Sequence, residues 1–266
     1  MNKGWPSLLW NLYNSDGDQA GSYFGTQEAN RPLHALYALD NGTVTLDNLG
    51  GQSQSGLSVR ARVYNLAGAV LDDQTAGHLT LASQQVRSKV LTPKVPMGRP
   101  VQVYFVELQL KQNGTLIDRN VYWLSTQPDA VNWSKSLGQP QGLLSAYADL
   151  TSLRTLPQSS VTATATTASR PGPDGADRAT TVTITNTSAS AAAFLLRADV
   201  RRGTASGREQ PGDNELQSST WQGNDITLFP GESQKLTVTW NSADLRGATP
   251  VVSVSGWNVP RLDIGA

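Results

Sequence analysis

The chain has 266 residues, 38% of them hydrophobic, with no cysteine and 21 acidic side chains balancing 21 basic ones. That length leaves room for two domains with separate cores, and a mean hydropathy of −0.34 belongs to a soluble globular protein. No apolar run is long enough to cross a bilayer, no basic excess suits nucleic acid or an anionic membrane surface, and disulfides, thiolate zinc sites and cysteine nucleophiles are excluded.

The first stretch, "NKGWPSLLWNLYNSDGDQAGSYFG" at 2–25, carries Trp5, Trp10, Tyr13, Tyr23 and Phe24, and "WPSLLW" reads as a buried strand. No element precedes it to bury it. Residues 1–25 are therefore expected to lack a packing partner and to favour self-association or disorder, so that deleting residues 1–30 should not cost solubility. The same stretch has no apolar core ending in a cleavage site, so a secretory signal, if the intact protein has one, is expected upstream of Met1.

From about residue 36 short alternating segments begin. "LSVRARVY" places Leu57, Val59, Ala61 and Val63 on one face or Arg60, Arg62 and Tyr64 on the other. "VYFVELQL" sets Tyr104, Val106, Leu108 and Leu110 against Glu107 and Gln109, and Asn113-Gly114 is a strong hairpin signal. This spacing predicts an antiparallel immunoglobulin-like β-sandwich over 36–127. A connector follows at 128–157, punctuated by Pro128, Pro140 and Pro157, with Leu144, Tyr147, Leu150 and Leu153 at helical spacing. A second sandwich is predicted over 158–266, from "SVTATATT" through "FLLRADV" and "QKLTVTW" to "PVVSVSGW", with a tight turn at Pro230-Gly231. The two sandwich segments do not repeat one another. Arg197, Asp199 and Arg201 in "RADVRR" alternate with apolar residues, as on the outer face of a half-buried strand.

Few residues suggest chemistry. His34 and His78 are the two histidines, and no Gly-x-Ser-x-Gly elbow accompanies them. Asn14, Asp16 and Asp18 imitate the start of a calcium loop, but Gly25 stands where its bidentate glutamate belongs, so a turn is the better reading. Neither metal nor cofactor is expected. The five glutamates, Glu28, Glu107, Glu209, Glu215 and Glu232, fall in a helix, a strand's polar face, loops and a turn, none with the surroundings of a pKa-shifted acid. The sequons at Asn41, Asn113, Asn132 and Asn186 read as turn chemistry. Trp133, Trp221 and Trp257 are stacking platforms for sugar if exposed, and core residues if not.

The opening stretch, continued as "GSYFGTQEANRPLHALYALDNGTVTLDN", resembles a junction in glycoside hydrolase family 2 enzymes of the exo-β-D-glucosaminidase and β-mannosidase type. There the last strand and helix of a catalytic (β/α)₈ barrel lead into immunoglobulin-like domains. "VYWLST", "YADLTSLRTLP", "NDITLFPGESQKLTVTW" and "TPVVSVSGWNVP" extend the resemblance, the last three to the terminal domain of exo-β-D-glucosaminidases in particular. The resemblance implies a mainly β chain: a barrel remnant at 1–35 (eighth strand and helix), then the two sandwiches. It implies a parent that is extracellular and releases glucosamine from chitosan with retention, through two glutamates on barrel strands upstream of Met1. Such glutamates must stand about 5 Å apart on a rigid face, so this chain alone is expected to be inactive. Trp5 and Asn2 match eighth-strand positions that wall the sugar pocket, as a stacking face and a polar orienting group. The expected partners are the upstream barrel and chitosan oligosaccharides. A free-standing carbohydrate-binding module and a purely structural tandem are the alternatives.

Overall fold

The computed structural model describes residues 12–170, 176–204 and 214–266. They fall into two compact units, one of residues 31–157 and one joining the N-terminal residues through Asn30 to 158–266.

In the first unit, β1 (Leu33–Ala38), β2 (Thr43–Asn48) and β5 (Gln85–Leu91) form one antiparallel sheet, in the order β1-β2-β5. The other has the order β4-β3-β6-β7, from β3 (Gln54–Asn65), β4 (Val70–Leu81), β6 (Val103–Gln112) and β7 (Thr115–Ser125). Of the two faces open to β3, the apolar one turns inward. Leu57, Val59, Ala61 and Val63 join Tyr104, Val106, Leu108 and Leu110 of β6 against Ala35, Tyr37, Val44 and Leu46. Every second residue of each strand is core, as the pleat requires. Asn113 (φ 47°) and Gly114 (φ 84°) supply the two positive φ angles of a type I′ hairpin between β6 and β7. Asp118, buried on β7, accepts from the Ala35 amide at 2.9 Å and from Arg31 at 2.6 Å, which pins the first strand of one sheet to the last of the other.

The connector residues belong to this unit. No α-helix uses the 144–153 spacing. β9 (Leu144–Ala146) pairs with β8 (Ala130–Val131), Thr151–Thr155 is a single 3₁₀ turn, and Tyr147 is exposed. Gly138 (φ 76°), Pro140 and Gly142 turn the chain back on Ala130–Val131, so Leu144–Ala146 is taken up by that ladder where a helix would have begun. The short helix α2 (Trp133–Ser136) is capped by Asn132, whose side chain accepts from the Lys135 amide at 3.1 Å.

In the second unit, β10 (Val161–Ser169), β11 (Asp177–Asn186), β15 (Ser233–Asn241) and β13 (Thr220–Gln222) form one sheet in that order. β14 (Ile226–Leu228), β12 (Ala193–Gly203), β16 (Thr249–Gly256) and β17 (Val259–Gly265) form the other. Val182, Ile184, Leu196, Ala198, Val200, Leu236, Val238, Trp240, Val252 and Val254 fill the space between them. β12 carries a bulge where Leu195 has φ 48°, which parts Phe194 from the alternation of Leu196, Ala198 and Val200. Gly231 (φ 78°) makes the turn into β15. Asn186 is fully buried. Its amide donates to Ala191 O (2.8 Å) and Leu228 O (2.9 Å), satisfying carbonyls that the sheets leave over.

The N-terminal stretch corrects the expectation that it has nothing to pack against. Residues 1–11, with Trp5 and Asn2, lie outside the described residues, but 12–30 dock on the terminal sandwich. Helix α1 (Gly21–Ala29) buries Phe24 in that core, and Tyr23 packs beside it. The helix stops at Asn30, where the backbone leaves helical geometry ahead of Pro32. A buried partner was present in the chain after all, more than 150 residues downstream in the numbering, where local periodicity carries no sign of it.

Candidate functional site

The docking of residues 12–30 builds a seam of charge. Asn14, Gly17 and Asp18 close a tight turn: the Asn14 amide donates to Asp18 O (2.9 Å), the Gly17 amide to Asn14 O (3.0 Å), and Gly17 takes φ 90°. Asp16 Oδ1 accepts from the Asp18 amide at 3.1 Å. This is the geometry of an Asx turn. It aims the Asp18 carboxylate at Arg197 of β12, with which it forms a hydrogen-bonded ion pair.

Arg197 is the hub. Its Nη1 donates to Gln19 O at 3.0 Å and its Nε to Asp199 at 3.1 Å, while Asp225 lies 3.7 Å away and Glu215 4.0 Å. Arg201, two pleat repeats further along β12, reaches Asp199 at 3.7 Å and Glu215 at 3.6 Å. Four carboxylates thus share two guanidiniums in a half-buried place. Burial, then the charges of Asp199 and Asp18, outweigh Arg201 and Arg197 and push the Glu215 carboxyl up to about 7. Burial likewise raises Asp18 and Asp225 against the pull of Arg197. Burial opposes the charge of Arg197, yet Asp199, Asp18, Asp225 and Glu215 together hold it above the ordinary arginine range.

Neutral hydrogen bonds flank the seam. Gln19, buried, accepts from the Trp221 amide at 2.8 Å, and Gln27 of α1 accepts from the Gly223 amide at 3.1 Å. Asn224 brackets Ala198, accepting from its amide and donating to its carbonyl, both at 2.8 Å. Beside the seam opens a cleft of about 690 Å³. Tyr13, Asp16, Gly17 and Gln19 line one side, and Glu215, the 216–220 approach to β13, Arg202, Asp244 and Arg246 line the other. The Ser218 hydroxyl donates to Asp244.

Several sequence candidates part company here. Asp18 of the calcium-like trio is committed to Arg197, and the trio is a turn. His34 is buried with Nδ1 2.9 Å from Arg31 O, and His78 is exposed at a bulge inside β4 with φ 56°. Of the tryptophans, Trp221 is core, 3% exposed, and no stacking platform; Trp133 is 77% exposed and Trp257 59%. Glu215, read from sequence as an ordinary loop residue, has the shifted carboxyl. It stands opposite Arg201 in an isolated antiparallel bridge, a pairing that no local sequence pattern announces. Glu107 does sit on the polar face of β6, yet it is buried between Arg62 (2.6 Å) and Arg119 (2.7 Å).

Residues 142–259 match the family model described as the exo-β-D-glucosaminidase immunoglobulin-fold domain. The whole chain is 37% identical to part of an exo-β-D-glucosaminidase from Streptomyces avermitilis, spanning 28% of that relative. An enzyme of the same name from Amycolatopsis orientalis is 35% identical over 97% of the chain, which spans 24% of it. The crystal structure of the Amycolatopsis orientalis exo-chitosanase CsxA superposes with a TM-score of 0.86 at 34% identity, covering all of this chain and 30% of that one. A β-D-mannosidase from Dictyoglomus thermophilum, 12% identical with a TM-score of 0.59, shares the fold. The chain thus spans about a quarter to three-tenths of the length of these relatives. Sequence and fold agree over its full length, and the chain belongs to the exo-β-D-glucosaminidase family, of which it corresponds to the C-terminal part.

Proposed function

We propose that the chain is the non-catalytic C-terminal region of an extracellular, retaining exo-β-D-glucosaminidase that releases glucosamine from chitosan, and that its terminal sandwich braces the catalytic barrel. The observation that carries this reading is the grip of that sandwich on residues 12–30. Asp18 is held by Arg197, Gln19 and Gln27 accept from the amides of Trp221 and Gly223, and Phe24 is sunk in the sandwich core. By family resemblance α1 is the barrel's last helix, so the domain that seizes it fixes the loop between the eighth strand and that helix. Loops of this kind form the reactive face of a barrel, and a misplaced wall costs rate without touching the chemistry. Trp5 and Asn2 belong to this proposal as walls of the sugar pocket.

The test exchanges this chain for the matching region of the Streptomyces avermitilis enzyme. The chimera should hydrolyse p-nitrophenyl β-D-glucosaminide while the chain alone releases nothing. Turnover by the chain alone, or full activity from a chimera lacking the terminal sandwich, would overturn the bracing role. The exposure of Trp133 and Trp257 favours a second reading, a carbohydrate-binding module. Under it, Trp133→Ala or Trp257→Ala abolishes binding of chitosan oligosaccharides by the isolated chain.

A further inference from the structure

The cleft beside the charged seam has the size of a ligand site and a lining without an assigned task. Two properties define what it would take. The first is charge. Asp16 and Asp244 in the cleft are offset by Arg202 and Arg246, whereas the seam behind Glu215 sets four carboxylates against two guanidiniums. Among the described residues the surplus is negative, in a chain whose total is zero. The second is free hydrogen-bonding capacity. Gln217, Ser219 and Thr220 line the same wall, and among the described residues their side chains have no partner.

We propose that this cleft binds a protonated amino sugar, with Glu215, Asp16 and Asp244 facing the ammonium group and Gln217, Ser219 and Thr220 taking ring hydroxyls. A cation arriving at Glu215 relieves the repulsion from Asp199 and Asp18 that the two arginines leave uncompensated. The raised Glu215 carboxyl accords with this, because it marks a place where negative charge lacks a partner. An anion would have to approach Arg202 and Arg246 past that surplus. The choice of glucosamine as the sugar rests on the function proposed above; the demand for a polar cation does not.

The experiment follows backbone amides of the full chain by NMR in near-neutral buffer, titrating a glucosamine tetramer and, in parallel, cellotetraose, which carries hydroxyls in place of the amines. Shifts confined to 13–19, 215–220 and 244–246, with cellotetraose about tenfold weaker, are expected, since one charge-assisted hydrogen bond is worth about a decade of affinity. Asp244→Asn should weaken the tetramer about fivefold or more with the rest of the spectrum unchanged. If that variant disturbs the fold, Ser219→Ala replaces it, with a smaller loss. Equal binding of both tetramers, shifts elsewhere, or none would overturn the site. An inactive chimera with an intact cleft titration would sink the proposed function and leave the cleft standing; the reverse result would do the opposite.

Discussion

Each unit carries a cluster of arginine and carboxylate withdrawn from open solvent, and these two are wired oppositely. In 31–157, Glu107 is 1% exposed and lies between two guanidiniums, with Tyr64 and Gln109 also bonded to it. In 158–266 with its N-terminal segment, Arg197 serves four carboxylates and shares two of them with Arg201. A carboxylate outnumbered by cations is attracted from both sides. Carboxylates that outnumber their cations must be partly protonated or repel one another. The first arrangement is a fixed strut, and the second responds to pH. Residue types alone do not separate them; the ratio of charges in the buried volume does.

The most severe way to break the second cluster is to remove its N-terminal strap. Deleting residues 1–30 takes Asp18 from Arg197, strips Phe24 from the core and leaves the Trp221 and Gly223 amides without their acceptors. Loss of a buried aromatic alone costs about 3–5 kcal/mol. The deletion should therefore lower the urea midpoint of the terminal unit, followed by its NMR cross-peaks, and raise aggregation. Improved solubility with an unchanged midpoint would refute the docked strap.

Next in size, Glu107→Gln leaves half-buried Arg62 and Arg119 beside a neutral amide, a loss of about 3 kcal/mol for the 31–157 unit. The same edit in the other cluster should act with the opposite sign. The folded Glu215 carboxyl lies near 7, above the 4.5 of an unperturbed glutamate. The native state therefore holds the proton more tightly than the unfolded chain. The stability this contributes is complete below about 4.5 and is lost as pH rises through about 7. The wild-type urea midpoint of the terminal unit should fall between pH 5 and 8. In Glu215→Gln the fall should shrink, and the variant should be the more stable of the two at the upper end. A wild-type midpoint that climbs over that interval would contradict the charge assignment.

Much of the fold was legible because strands announce themselves every second residue: Tyr104 to Leu110, the Asn113-Gly114 hairpin and the Pro230-Gly231 turn are local signals with local outcomes. What escaped was non-local. Nothing near Phe24 in the chain indicates that it will join a core with Val182 and Leu236, and nothing near Glu215 indicates Asp18 as a neighbour. Glu107 looked like any polar-face residue because alternation reports which side of a sheet a residue takes, not whether that side is later covered. The cleft is the furthest from sequence, since its walls come from a turn at 13–19 and segments beyond 200.

The smallest effect sharpens the comparison by supplying its control. Arg60 and Asp73 form a two-pronged ion pair across β3 and β4, its Nε–Oδ1 limb 2.8 Å long, in the same sheet as Glu107. The side chains are 41% and 37% exposed. Hydrogen bonding to Arg60 lowers the Asp73 carboxyl, the sign of a favourable pair, but water screens both partners and the two long side chains lose freedom in meeting. Asp73→Asn should therefore cost about 0.5 kcal/mol or less at physiological salt. Double-mutant cycles, pairing Asp73→Asn with Arg60→Gln and Glu107→Gln with Arg62→Gln, isolate each coupling. The first should approach zero in high salt while the second persists, because a Debye atmosphere reaches the surface pair and not a carboxylate enclosed between two arginines. Equal salt sensitivity would mean that burial does not set the worth of these pairs, and the contrast between strut and switch would lose its physical basis.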